Sequence, residues 1–224
     1  MFDSIIYNNI NTSIPHDVGK NCAYHLIPFY QWFLEIFIVS ILIIYSLIYT
    51  FKNVTLPKKI KYDNRERTGK KIILLLMAVF FGYEIGYKFS TDTIVHILSL
   101  CHIATAIQLY ILVAKPSRLV TALFRIQLNY LSGPVLTFLF PQSDSRIIFA
   151  HKSVYYLQHG MMFVIVIYLI RVGGVYNVGP LHDFSWNILA IAIAVAYHYW
   201  LLLPIAFVSI KKKKLTIVTE LFII

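Results

Sequence analysis

Of the chain's 224 residues, 58% are hydrophobic and 13% charged, where soluble domains run near half and about a quarter; this excludes an ordinary soluble globule. The net charge of +10 comes from basic residues lying between apolar runs, where they set membrane topology. That placement argues against nucleic acid as a partner, which needs the charge gathered on one face.

Six apolar runs are long enough to cross a bilayer, so the predicted fold is an all-α, polytopic membrane helix bundle of about six transmembrane helices. Residues 1–28 lack the basic start, apolar core and small-residue cleavage site of a secretory signal. They read as a lumenal tail, and the first span is expected to act as its own insertion signal. That span covers residues 29–51, with Glu35 near its start. Eight basic residues follow within 52–71 (Lys52, Lys58, Lys59, Lys61, Arg65, Arg67, Lys70 and Lys71) against Asp63 and Glu66. They hold this loop in the cytoplasm and leave the N-terminus outside or lumenal.

The second run, 72–89, holds Gly82 and Gly86 in a GxxxG spacing that suits close helix packing. Glu84 and Lys88 stand four apart, as an ion pair would. The third run, 94–114, is followed by Lys115 and Arg118. The fourth, 119–140, carries Arg125 where its side chain can snorkel to the interface, and Gly133-Pro134 where the helix is expected to bend or break. The fifth, 154–170, opens with Tyr155, Tyr156, Gln158 and His159. A Gly-rich cytoplasmic loop, 172–185, leads to the sixth, 186–210, with Tyr197 and His198 near its middle. The bundle thus spans 29–210, and 211–224 form a basic and apolar tail. Six spans would put Lys211–Lys214 outside, against the positive-inside rule.

The stretch LSLCHIATAIQLYILVA, residues 98–114, carries the chemistry. Cys101, Thr105 and Gln108 stand at i, i+4 and i+7, on one helix face. Lipid cannot satisfy them, so that face should turn toward protein or a water-filled cavity. With a rise of about 1.5 Å per residue, Cys101 falls roughly 10 Å and His159 roughly 8 Å below the lumenal ends of their runs, Glu84 lies about as deep, and His198 is near the midplane. Polar groups at such depths mark a candidate site.

A thiol becomes a strong nucleophile as a thiolate, and an imidazole can take its proton. His102 points about 100° away from Cys101 around the helix, so a base from another helix fits better, and His159 has the matching depth. Such a pair can attack an ester carbonyl, form an acyl thioester and pass the acyl group to a hydroxyl. Dry surroundings favour transfer over hydrolysis. The candidate site is therefore Cys101 as nucleophile and His159 as general base and acid, with Glu84, His102, Gln108 and His198 as polar pocket groups. No tight ligand pair exists among Cys101, His102, His159 and His198, so neither metal nor cofactor is expected. Cys22 and Cys101 permit one disulfide, which nothing in the spacing requires. A proton or ion carrier using Glu84 and His198 is the reading from another class.

The chain also resembles transmembrane protein 164, a family of multi-pass membrane acyltransferases. The resemblance is dense from about residue 70 to 204. It rests on FGYEIGYKFSTDTIVHIL, CHIATAIQLYILVA, YYLQHGMMFVIVIYLIRVGGVY and PLHDFSW followed by YH, with a weaker match over NCAYHLIPFYQWFLE. It implies acyl transfer onto ether lysophospholipids in the endoplasmic reticulum membrane, with phospholipids as partners. The family's nucleophile corresponds to Cys101 and its His to the QH motif at His159. A hydrolase is the close alternative. Two departures stand out. Ser99-Leu100 replaces Asn-Pro before the Cys, and SIKKKKLTIVTELFII replaces the family's further spans, giving the expectation that the C-terminus is incomplete; missing spans would leave the pocket open, so activity of this form is a separate question.

Overall fold

A computed structural model describes residues 29–56, 67–90, 97–141, 148–180 and 183–205. The N-terminal tail, Cys22, most of the basic loop, Lys211–Lys214 and the tail beyond lie outside these residues. The described residues form α1 (Phe29–Asn53), α2 (Thr68–Ser90), α3 (Leu100–Val113), α4 (Arg118–Asn129), α5 (Ser132–Leu139), α6 (Phe149–Val172) and α7 (Ser185–Ala196). A π-helical turn, Tyr197–Leu202, continues α7. Among the described residues there is no strand.

Four helices are long and apolar enough to cross a membrane: α1, α2, α6, and α7 with its continuation to Ile205. The other two expected spans differ. With 14 residues, α3 is about 21 Å long, short of the roughly 30 Å hydrocarbon core. It starts at Leu100, because Ser99 is extended (φ −60°, ψ 147°); an N-terminal boundary suits a serine.

The fourth run is cut in two between Asn129 and Ser132. Pro134 is the reason: it has no N–H to give the Tyr130 carbonyl, and its ring would strike that group. The Gly133 N–H bonds Tyr130 O instead, at 3.2 Å. Asn129 Nδ2 and Ser132 Oγ also turn inward onto backbone carbonyls, of Arg125 and Asn129. The expected bend at Gly133-Pro134 is therefore a full break.

The central helix is α3, which touches α2, α4, α5 and α6, whereas α1 packs chiefly on α7 and its π turn. The buried core joins Ala104, Ile111 and Leu112 of α3 to Met77, Phe124, Met162, Ile165, Leu169 and Ala190. Outward faces are apolar as well, with Phe37, Leu75, Val79 and Ile167 more than half exposed. Between helices in lipid, close van der Waals packing replaces the hydrophobic drive.

That packing does not use the GxxxG pair. A side-chain carbon at Gly82 or Gly86 would meet nothing within 4 Å, so this stripe faces outward. Ala104 of α3 and Ala190 and Ala192 of α7 are small residues that are buried instead. There the Tyr130 hydroxyl reaches Ala190 O at 3.2 Å.

The π turn has a local cause. Pro204 cannot donate to Trp200 O, and its ring would clash there in a regular helix. Widening the preceding turn, with Leu203 N–H on His198 O, removes the conflict. It also turns three aromatic side chains to partners. Tyr197 donates to Leu98 O (2.6 Å), Tyr199 to Glu35 Oε1 (2.7 Å) and Trp200 to Ser40 Oγ (2.9 Å).

At the opposite end, Arg125 does not snorkel. It is 5% exposed, donating from Nε to Asn177 O (3.1 Å) and from Nη1 to Thr55 O (3.2 Å). Its guanidinium lies 5.3 Å from the Trp186 ring centre. Gly179 (φ +82°) passes so close that a side-chain carbon would sit 3.0 Å from the guanidinium carbon. Two loop carbonyls accept from the buried guanidinium, so its donors are met within the protein. Beside it, Lys70 Nζ donates to Tyr176 Oη at 3.0 Å. The ends of α1 and α6 and the starts of α2 and α7 thus meet at one end, as antiparallel spans require.

Candidate functional site

Cys101 is the second residue of α3. The expected position, well inside a longer helix, becomes the first turn of a short one, where the His102 and Ile103 N–H groups bond Ser99 O and the N–H groups before them have no carbonyl a turn back within the helix. Its thiol is free and partly exposed. The backbone before it is held from two sides: Tyr197 of the π turn bonds Leu98 O, and Ser99 Oγ pairs with Nδ1 of His102 in α3 itself. Irregular backbone at membrane depth is tolerated where protein covers it in this way.

One turn on, Thr105 is fully buried. Its hydroxyl donates to Cys101 O at 2.9 Å and accepts from Gln158 Nε2 of α6 at 3.2 Å. Another turn on, Gln108 Nε2 donates to Met162 O at 3.1 Å. The predicted polar face of α3 is therefore the seam with α6. Gln108 Oε1 and Gln158 Oε1 are buried acceptors with no hydrogen-bond partner among the described residues, a state that costs about 1–3 kcal/mol each unless another donor is supplied.

His159 follows Gln158 and is 5% exposed. Its Nδ1 stands 2.7 Å from Tyr155 O, with the Tyr155 ring 4.6 Å from its own. A carbonyl only accepts, so Nδ1 carries the proton and Nε2 is the basic nitrogen of the neutral ring. Cys101 and His159 thus stand on the two helices of one seam. Among the described residues no hydrogen bond joins them, and such bonds often close only when substrate is bound.

The remaining candidates divide. His102 turns to α2, its ring 5.8 Å from that of Phe81. Glu84, one turn beyond Phe81, is 2% exposed, with Lys88 Nζ 3.9 Å from its carboxylate as the spacing predicted. Gln108 belongs to the seam. His198 does not join it: its ring packs edge-on to Tyr199, 5.2 Å away, beside the Tyr199–Glu35 bond to α1.

Other contributors were less visible in the sequence. Gly133, at the break between α4 and α5, is so close that a side-chain carbon there would stand 3.4 Å from Cys101 Sγ. No local pattern announces a neighbour 32 positions away, although Gly-Pro marked the break. Tyr197 and Thr105 were visible as residues but not as supports of the Cys101 backbone.

Fold and site together define a polytopic helical membrane protein with a buried polar seam between α3 and α6, the thiol of Cys101 in the first turn of α3 and the imidazole of His159 next to Gln158 on α6. The match to known families is consistent with that class. The profile of the TMEM164 family covers residues 24–209, and the chain belongs to that family. No solved structure matches it.

Proposed function

We propose that the protein is a Cys-dependent acyltransferase of the endoplasmic reticulum membrane, moving a polyunsaturated acyl chain onto ether lysophospholipids. The observation that carries this reading is the seam itself. A free thiol in the first turn of α3 is tied through Thr105 and Gln158 to the helix turn that holds a Nδ1-protonated His159.

In the first half-reaction His159 Nε2 takes the thiol proton, and the sulfur attacks the carbonyl carbon of a phospholipid ester. A C–S bond forms, the ester C–O bond breaks, and the departing alkoxide takes the proton back from His159. In the second, the lysophospholipid hydroxyl gives its proton to His159 and attacks the thioester. A C–O bond forms, the C–S bond breaks, and the thiolate recovers the proton. The positive end of α3 favours negative charge at the sulfur. No metal or cofactor takes part in this scheme.

The test is acyl transfer to an ether lysophospholipid in membranes holding the full chain, beside Cys101→Ala and His159→Ala. Transfer lost in both variants, with unchanged insertion, supports the reading. Transfer equal to wild type in Cys101→Ala ends it. Free fatty acid in place of the acylated lipid would assign the same pair to a hydrolase.

A further inference from the structure

We propose that Gly133 determines access to Cys101, with α5 as the wall of the port through which an acyl chain reaches the sulfur; this rests on the acyl-transfer reading. Gly133 has no conformational reason to be glycine, since the positive φ values among the described glycines belong to Gly173, Gly174 and Gly179. Inside a helix, glycine costs about 1 kcal/mol relative to alanine. Packing against the bare thiol does not demand it either. A methyl group at 3.4 Å from Sγ would be in tight but ordinary contact. What glycine keeps is room beyond that contact, where the substituent on an acylated sulfur must go.

The rest of α5 agrees. Along α3, Thr105 and Gln108 are sealed, whereas Cys101 is partly exposed, so the opening is at the end where α5 begins. Outward, α5 presents Val135, Phe138 and Leu139, which are 44%, 46% and 64% exposed. Such a surface suits an alkyl chain sliding in from lipid. The far end is pinned to α6, with Phe138 stacked on Tyr156 (6.0 Å, 28°) and tilted on Phe163 (6.3 Å). Gly160 lies under it, 3.9 Å from the ring for an added carbon. The helix is thereby fixed at both ends, and side-chain size at position 133 sets the gap.

The test follows alkylation of Cys101 in the full chain by N-ethylmaleimide and by a long N-alkylmaleimide, with Cys22→Ser as background. Replacing Gly133 by Ala, Val and Leu should slow the long reagent progressively, by about tenfold or more for Leu, because added core volume has nowhere to go. Gly86→Leu adds the same bulk where nothing is touched, and should leave the rate unchanged. A flat series among the variants that keep their thermal transition overturns the port. Acyl transfer is measured on the same preparations. A wild type that transfers nothing removes the acyl-transfer reading, while the alkylation series still decides the port.

Discussion

Thr105 shows how much one side chain of this protein does. Its single hydroxyl holds the carbonyl of Cys101 on one side and the amide of Gln158 on the other, so it sets the spacing between the thiol's helix and the imidazole's. Thr105→Val keeps the shape and removes both bonds, leaving the Gln158 amide buried without a partner. The expected result is a loss of about 1–3 kcal/mol in detergent thermal unfolding. The proposed acyl transfer should also slow through turnover rather than through KM, since Thr105 is fully buried. A variant as stable as wild type would show that the α3–α6 seam is held by packing alone. The i, i+4, i+7 period announced that Cys101, Thr105 and Gln108 share a face, and the depth comparison picked His159. The same period set His102 about 100° from Cys101, and it pairs with Ser99 and Phe81; neither signal could say that His198 faces elsewhere, because Tyr199 draws it off.

At the scale of elements, hydropathy reads apolar length but not backbone breaks. Residues 94–99 look like the continuation of an apolar helix, yet Ser99 is extended, and α3 begins after it. The fourth run reads as a single span, yet Pro134 and the inward turns of Asn129 and Ser132 divide it. The GxxxG spacing named a packing motif that α2 turns outward. In the other direction, Arg125 reads as an interfacial charge and proves to be the fastener of the end where α1 and α6 finish and α2 and α7 begin. Its fork serves two carbonyls on separate loops while its plane lies over Trp186. Lysine is a point charge on a flexible stem and cannot do this. Arg125→Lys should therefore lower stability by about 2–4 kcal/mol, since hydrogen bonds to charged groups are worth about 1.5–3 kcal/mol each. Arg118→Lys, at an exposed site on the same helix, should change nothing. Comparing their thermal transitions checks the claim, and equal transitions would reduce Arg125 to a surface charge.

For the whole molecule, the question is how a bundle with four full-length spans keeps the sidedness expected of six. The segment from α3 to α5 leaves the end of α2 and returns to the start of α6, so it enters and leaves on one side whether it crosses fully or dips and turns back. Every other loop therefore keeps its side in both arrangements. The turn between α3 and α4 is what differs. Arg125 reaches Thr55 O after α1 and Asn177 O after α6, and basic loops mark the cytoplasm. Lys115 is exposed at the head of this turn and should meet cytoplasmic water. In a Cys22→Ser, Cys101→Ser background, Lys115→Cys should react with a membrane-impermeant maleimide only when the cytoplasmic face is open to it. The sequon at Asn11, outside the described residues, should carry glycan, and that at Asn53, at the end of α1, should not. Labelling of Lys115→Cys from the lumenal side, or glycan on Asn53, would invert the orientation. Protection of position 115 from both sides would mean that the turn stops inside the bilayer, with the Arg125 cluster buried beneath it.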